Sequence, residues 1–204
     1  MDALTQNYIF DLGNVLVRFD PMYMTAACVP DPNLIPVIAP VVFDRLYWDA
    51  LDYGGIRDDE LKNACHARLP AELHSIADQV YDRWMENLPL IPGMRELLKD
   101  IKSKGGKLYL LSNVSIGFAE QYQRVAHLSE LFSLFDGLVF SGPLGIIKPD
   151  PAIFHHIMNK FSLKPEHCVF IDDNAANVTG AEAVGIRAYR FDGNTQKLRE
   201  YLKL

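Results

Sequence analysis

Residues 8–16, Tyr-Ile-Phe-Asp-Leu-Gly-Asn-Val-Leu, run three apolar, β-favouring side chains straight into an aspartate, a glycine and an asparagine. A strand without polar alternation is one buried on both faces, as in a parallel sheet covered by helices on each side. An aspartate at the carboxyl end of such a strand stands where open α/β sheets hold their ligands. Aspartate also favours turns and helix caps, so this stretch alone leaves both accounts open.

Downstream of residue 88 the pattern repeats. Pro92 opens a helix with Met94, Leu97, Leu98 and Ile101 on one face, closed by Gly105-Gly106. Strands are predicted over 107–111, 138–140, 168–171 and 188–191, with a Gly- and Pro-rich loop over 141–149. Helices are predicted over 116–132, from Asp150-Pro151 along Ile153, Phe154, Ile157, Met158 and Phe161, from about Ala175 to Gly185, and over 195–204. Strands alternating with helices imply a parallel sheet with right-handed crossovers, an α/β fold of the doubly wound, Rossmann-like kind.

Residues 18–88 break the rhythm. Prolines at 21, 30, 32, 36 and 40 should cut the first part into short helical pieces, since proline is excluded from helix interiors. Acids at 58–60 suit a first helical turn, and Leu73, Ile76, Ala77, Val80, Trp84 and Leu88 recur at helical spacing. The expected organisation is a core of residues 1–17 and 89–204 with a small helical insertion, 18–88, after the first strand.

A chain of 204 residues can bury one core and a small insertion. Its net charge of −6 leaves no basic surplus to displace the counterions of a nucleic acid, so that partner is excluded. No apolar run reaches the length of a membrane span, so no membrane is expected either. Cys28, Cys65 and Cys168 have no metal-like spacing, and Met1 to Gln6 lacks a basic segment followed by an apolar one. Both features suit a reduced, cytoplasmic protein, as a monomer or a homodimer.

Four places beyond predicted strands carry polar groups: Asp11, Ser112-Asn113, Lys148 and Asp172-Asp173. In a parallel sheet all carboxyl ends lie on one edge, so these groups should converge. Taken singly, Ser112 or Ser115 suits a helix cap, Lys148 a solvated surface, and Asp172-Asp173 the cap of the helix near Ala175. Their order and strand context together argue for a site.

Phe10-Asp11-Leu12-Gly13-Asn14-Val15-Leu16, Leu110-Leu111-Ser112-Asn113, Lys148-Pro149 and Phe170-Ile171-Asp172-Asp173-Asn174 resemble the four motifs of the haloacid dehalogenase-like hydrolase superfamily. Within it, Asp-Leu-Gly-Asn and Asp-Asp-Asn-Ala-Ala-Asn resemble the bacterial α-D-glucose-1-phosphate phosphatase group. The resemblance implies that residues 18–88 are a helical cap and that the substrate is a small phosphate ester, such as a sugar phosphate. It implies that Asp11 is the nucleophile, forming an aspartyl-phosphate, and that Mg²⁺ is the cofactor. Asp11, the Gly13 carbonyl and Asp173 would hold the metal, with Asp172 either a ligand or the support of one. Ser112 and the Asn113 backbone amide would hold phosphoryl oxygens, and Lys148 would neutralise the developing charge. Asn177 would orient Asp173 or Lys148, or else simply lie at the surface.

One position departs from that pattern. Most phosphatases of the superfamily carry a second aspartate two residues after the nucleophile, as general acid, and here that residue is Gly13. General acid–base help is typically worth about 10²–10⁴-fold, so the chain should favour good leaving groups or draw an acid from the cap, where His66, Asp49 and Asp52 are candidates. Gly13 also admits two other readings. One is a catalytically silent binding or regulatory protein. The other is a metal-free 2-haloacid dehalogenase, disfavoured because Asp172 and Asp173 would then sit beside Asp11 without a cation. Tyr47, Trp48, Tyr53 and Trp84 suit either substrate contacts or the cap's own core. Gly54-Gly55 suits a turn aimed at the site, Arg18 and Asp20 sit where a hinge would be and suit contact with the substrate, Arg45 suits either a phosphate or sugar contact or a solvated place, and His155-His156 suits a structural or exposed place.

Overall fold

The structure is a computed structural model and describes residues 6–204. The reading of the leader falls almost wholly on Met1 to Thr5 and so lies outside the described residues. Five parallel strands form the centre: β1 (Asn7–Phe10), β2 (Lys107–Ser112), β3 (Gly137–Phe140), β4 (Cys168–Asp172) and β5 (Arg187–Arg190), in the order β3-β2-β1-β4-β5. Phe10 is in register with Leu110 on one side and Ile171 on the other. The chain moves outward from β1 through β2 to β3, then crosses back to β4. That reversal makes β1 the switch point, the crevice in which such sheets place ligands.

Between β1 and β2 lie α1 (Pro21–Ala26), α2 (Ile35–Val42), α3 (Arg45–Asp52), α4 (Asp58–His66), α5 (His74–Arg83) and α6 (Met94–Ser103). Then follow α7 (Ile116–Gln121), α8 (Ala126–Phe132), α9 (Pro151–Phe161), α10 (Ala175–Ala183) and α11 (Thr195–Leu202). Alternate strand residues face opposite layers, as the period of two requires. Tyr8, Phe10, Leu108, Leu110, Val169 and Ile171 pack with Leu97, Leu98, Leu131 and Leu198. Ile9, Tyr109, Leu111 and Phe170 pack with Phe154, Ile157 and Ala181. Both faces of the sheet are therefore apolar, which explains the unbroken hydrophobic runs in the sequence.

The helices α1 to α5 leave and rejoin this layer through paired segments. Val17 bridges Leu90, the Arg18 amide donates to Pro89 (2.8 Å), and the Ile91 amide donates to Leu16 (2.9 Å). Their apolar faces, with Trp84 just after α5, continue the first core cluster through Trp48, Leu51, Leu61 and Val80.

Three local expectations are corrected. Pro40 sits inside α2 rather than breaking it. The residue is exposed, so the Pro36 carbonyl deprived of a donor can turn to water. The helix expected over 116–132 is two helices, with a 3-10 turn at Tyr122–Arg124 and an extended Val125 between them. Phe118 and Phe132 would lie about 21 Å apart on one straight helix, yet their ring centroids are 6.4 Å apart. Burying both rings in one aromatic cluster requires the break. Finally, Asn174 caps α10 by accepting from the Ala176 amide, so neither Asp172 nor Asp173 serves as its cap.

Candidate active site

Ser112 is the last residue of β2, Asp11 follows β1, Asp172 ends β4 and Asp173 follows it. Adjacent parallel strands thus bring three of the four motifs to one edge. Lys148 comes from the loop beyond β3, and its backbone is clamped by a single side chain. The Lys148 amide donates to Asn113 Oδ1 (2.9 Å), while Asn113 Nδ2 donates to the Lys148 carbonyl (3.0 Å). This clasp spans 35 residues.

Far from the solvated surface, the Lys148 side chain is 1% exposed. Its Nζ lies 2.8 Å from Asp11 Oδ1 and 2.8 Å from Asp172 Oδ2. Burial works against the ammonium, but the two carboxylates outweigh it and hold its pKa above the ordinary lysine value. Asp172, fully buried, also accepts from the Asn174 amide (2.8 Å) and from Asn177 Nδ2 at both oxygens (3.1 and 3.0 Å). Asn177 therefore orients Asp172, rather than Asp173 or Lys148 as the sequence suggested. With its oxygens taken by an ammonium, an amide and a backbone N–H, Asp172 is built to hold Lys148 in place.

Asp11, Asp172 and Asp173 each offer an oxygen within 4.8 Å of the others. Three carboxylates against one ammonium leave a net negative pocket. Burial, reinforced by Asp172, raises the Asp11 pKa well above the usual carboxylate range despite Lys148. Asp173 is also raised, by burial and then by Asp172, while the Asn14 side chain opposes the shift. An all-oxygen donor set with excess negative charge fits a hard divalent cation, and among the described residues no cysteine or histidine joins the cluster. Such a cation would return Asp11 to its ionised, nucleophilic form.

Asn14 was not singled out from the sequence. It adopts a left-handed conformation (φ 54°), its amide donates to Val17 (2.7 Å), and its Oδ1 accepts from the Phe19 amide (3.1 Å). The available signal was the Gly-Asn pair just after a strand, since asparagine is among the few residues that tolerate this conformation.

A cavity of about 390 Å³ joins these groups to the inserted helices. Asp11, Gly13, Ser112, Asn113, Lys148 and Asp173 line it from the sheet edge, and Phe19, Arg45, Trp48, Asp52 and Trp84 from the insertion or its entry. Trp48 and Trp84 belong to the insertion's own core and also line the cavity, so the structure places them where the core reading expects them. Their centroids lie 5.0 Å apart in an aromatic cluster with Phe19, and both line the cavity. Tyr47 and Tyr53 do not line it, and Tyr53 is exposed.

Of the acids considered on the insertion, His66 pairs with Asp78 (2.9 Å) and stacks on His74, while Asp49 pairs with Arg45 (2.5 Å) near the surface. Neither lines the cavity, and neither does Arg18, which pairs with Asp20 (2.7 Å). His155 is exposed and His156 half-buried on α9. Asp52 alone of the acids considered faces the cavity. Burial pushes its carboxyl up to about 8.

A carboxyl whose folded pKa lies above its unfolded value stabilises the fold at low pH, and this contribution is lost as pH rises toward the folded value. Asp52→Asn should therefore raise metal-free stability at pH 7 by roughly 2–4 kcal/mol, at about 1.36 kcal/mol for each pH unit above the ordinary carboxylate value, with the gain vanishing near pH 4. Urea unfolding in EDTA across that range measures it. A difference that does not change with pH would count against a protonated Asp52.

A family model of the haloacid dehalogenase-like hydrolases matches residues 5–185. The phosphorylated carbohydrates phosphatase of Thermotoga maritima is 35% identical over 198 residues, covering 87% of this chain and 81% of its own. The sesquiterpene phosphatase astK of Aspergillus oryzae is 24% identical over 181 residues, covering 87% and 85%. Drimenol cyclase drtB of Aspergillus calidoustus is 27% identical over 94% of this chain, which spans only 35% of that relative's length.

Solved structures that share the fold include the following two. A haloacid dehalogenase-family enzyme from Bacteroides thetaiotaomicron, in complex with magnesium and inorganic phosphate, has a TM-score of 0.66 at 19% identity and covers 93% of this chain and 96% of its own. A dehalogenase with an intermediate complex has a TM-score of 0.73 at 20% identity, covering 94% and 87%.

Proposed function

This chain belongs to the haloacid dehalogenase-like hydrolases, and on that premise we propose that it is a Mg²⁺-dependent phosphatase of small phosphorylated metabolites. The observation that carries the reading is the buried Lys148 bridging Asp11 and Asp172, with Asp173 completing an all-oxygen cluster on the same cavity. A phosphate dianion repels a carboxylate nucleophile, so attack requires concentrated positive charge at this point.

Asp11 attacks phosphorus and carries the aspartyl-phosphate. Lys148 stays against Asp11 and offsets charge on the transferring group. Ser112 and the Asn113 backbone amide hold phosphoryl oxygens. Asp11, Asp173 and the Gly13 carbonyl hold Mg²⁺, while Asp172 fixes Lys148 and adds negative charge nearby. When bound, Mg²⁺ supplies Lewis-acid stabilisation of phosphoryl oxygens. The helices of residues 18–88 act as a cap that excludes bulk water from the reaction.

A sugar phosphate such as glucose 1-phosphate is the substrate proposed. The support is the Thermotoga relative, named for phosphorylated carbohydrates, and a cavity of about 390 Å³ walled by Trp48 and Trp84. A cytoplasmic setting suits such a metabolite, and no helix among the described residues is long and apolar enough to cross a membrane.

A metal-free 2-haloacid dehalogenase is the second reading, favoured by the fold shared with a dehalogenase. The Asp172-Asp173 pair beside Asp11 argues against it, since among the described residues only Lys148 forms an ion pair with these three acids. Retention of the full set of charges likewise argues against a silent binding protein.

Hydrolysis of p-nitrophenyl phosphate with Mg²⁺ and with EDTA tests the proposal, with 2-chloropropionate as a parallel substrate. Phosphate release that depends on Mg²⁺ is the expected result. Chloride release in EDTA without phosphatase activity would favour the dehalogenase, and inactivity on both would favour a binding protein. Mg²⁺ at 100 times its dissociation constant should also stabilise the fold by about 2.7 kcal/mol.

A further inference from the structure

We propose that Asp52, on the inserted helix α3, delivers the proton that the departing oxygen of the substrate requires. The inference rests on the phosphatase reading above. Expelling an alkyl alkoxide without a proton is slow, and a positioned acid is typically worth about 10²–10⁴-fold. Of the groups lining the cavity, Asp11 and Asp173 belong to the acidic cluster and Lys148 is clasped between Asp11 and Asp172. Asp52 is the remaining carboxyl there. It is 9% exposed, and its carboxyl has no hydrogen bond or ion pair among the described residues.

Its main chain is one of the places where the insertion meets the sheet edge. Ser141 Oγ donates to the Asp52 carbonyl (2.5 Å) and accepts from the Val114 amide (2.9 Å). Two residues on, Gly54 has a φ of +75°, and a Cβ there would come 2.3 Å from the Gly142 carbonyl oxygen. Only a bare backbone allows so close an approach. Docking the insertion and presenting the carboxyl are therefore one event.

The charged groups that face Asp52 are Arg45 and Asp49 on its own helix, Asp11 after β1, and Lys148 beyond β3. Burial keeps the carboxyl protonated near neutrality against the pull of Arg45. In the first half-reaction the bond from Asp11 Oδ to phosphorus forms and the bond from phosphorus to the leaving oxygen breaks. The Asp52 proton passes to that oxygen, releasing an alcohol and leaving Asp52 ionised. In the second half-reaction Asp52 takes a proton from the water that opens the aspartyl-phosphate, which restores both carboxyl groups and frees phosphate.

The test compares wild type, Asp52→Asn and the control Asp49→Asn, with Mg²⁺, on p-nitrophenyl phosphate and on glycerol 2-phosphate. The phenolate needs no proton to leave, whereas the alkoxide does. For Asp52→Asn, kcat on the alkyl ester should fall about 10²–10⁴-fold, at least ~10-fold more than on the aryl ester. Asp49→Asn should keep the wild-type ratio of the two rates. A loss shared by both esters, or an alkyl-ester loss under about tenfold, overturns the role of Asp52 and leaves the phosphatase reading standing. A wild type inactive on both esters overturns the phosphatase reading and this inference with it.

Discussion

Lys148→Met is expected to lower metal-free stability at pH 7 by about 3–5 kcal/mol and to remove activity, because breaking a buried ion pair strands its partners. The Lys148 ammonium lies 2.8 Å from both Asp11 and Asp172, whose side chains are 12% and 0% exposed. Methionine keeps the apolar stem but not the charge. Asp172 retains its bonds from Asn174 and Asn177, so the larger part of the penalty should fall on Asp11. The sign of the pH dependence follows. Stranded carboxyl groups have raised folded pKa values, and their destabilisation grows as pH rises above the unfolded carboxylate range. The difference from wild type, measured by urea unfolding in EDTA, should therefore shrink from pH 7 to pH 5. Equal differences at both pH values would mean that Lys148 contributes packing rather than charge.

Asp11→Asn should cost at least about 10³-fold in turnover, on the scale of losing a covalent nucleophile, while leaving the metal-free fold no less stable. The opposite directions share one cause. Asp11 adds a third negative charge to a buried cluster with a single ammonium, and its own pKa is raised by that burial. Replacing it with a neutral isostere removes repulsion from Asp172 and also removes the attacking oxygen. The same substitution should reduce the stabilisation that Mg²⁺ confers, since one charged ligand is gone. Phosphate release and melting curves with and without Mg²⁺ read all three effects. Turnover within tenfold of wild type would exclude Asp11 as the nucleophile.

The parallel sheet was legible because burial on both faces leaves a plain mark. Tyr8 to Phe10, Leu108 to Leu111 and Cys168 to Ile171 carry almost no polar residue, and the helices between them show a single apolar stripe. The break after Tyr122 left no such mark. It exists because Phe118, Tyr122, Phe132 and Phe140 gather into one cluster, a contact between segments that local periodicity does not report. The motif residues were legible as a set, since strand ends in a parallel sheet share an edge. Asn113 was noted for its backbone amide, but its side chain's hold on Lys148 depends on a loop 35 residues away. Asn177 was noted as an orienting group, but its partner could be known only once α10 was placed against β4.

By itself the sequence determined the kind of fold, the layering of its apolar faces, and which polar side chains would meet at the carboxyl edge, because each follows from residue periodicity and strand direction. Only the tertiary structure decided that Asp52, rather than His66 or Asp49, reaches the cavity. All three lie on short amphipathic helices, and which face turns inward depends on how those helices dock. That docking is governed by close contacts such as Gly54 on Gly142 and Ser141 on Asp52, between residues about 90 apart in the chain.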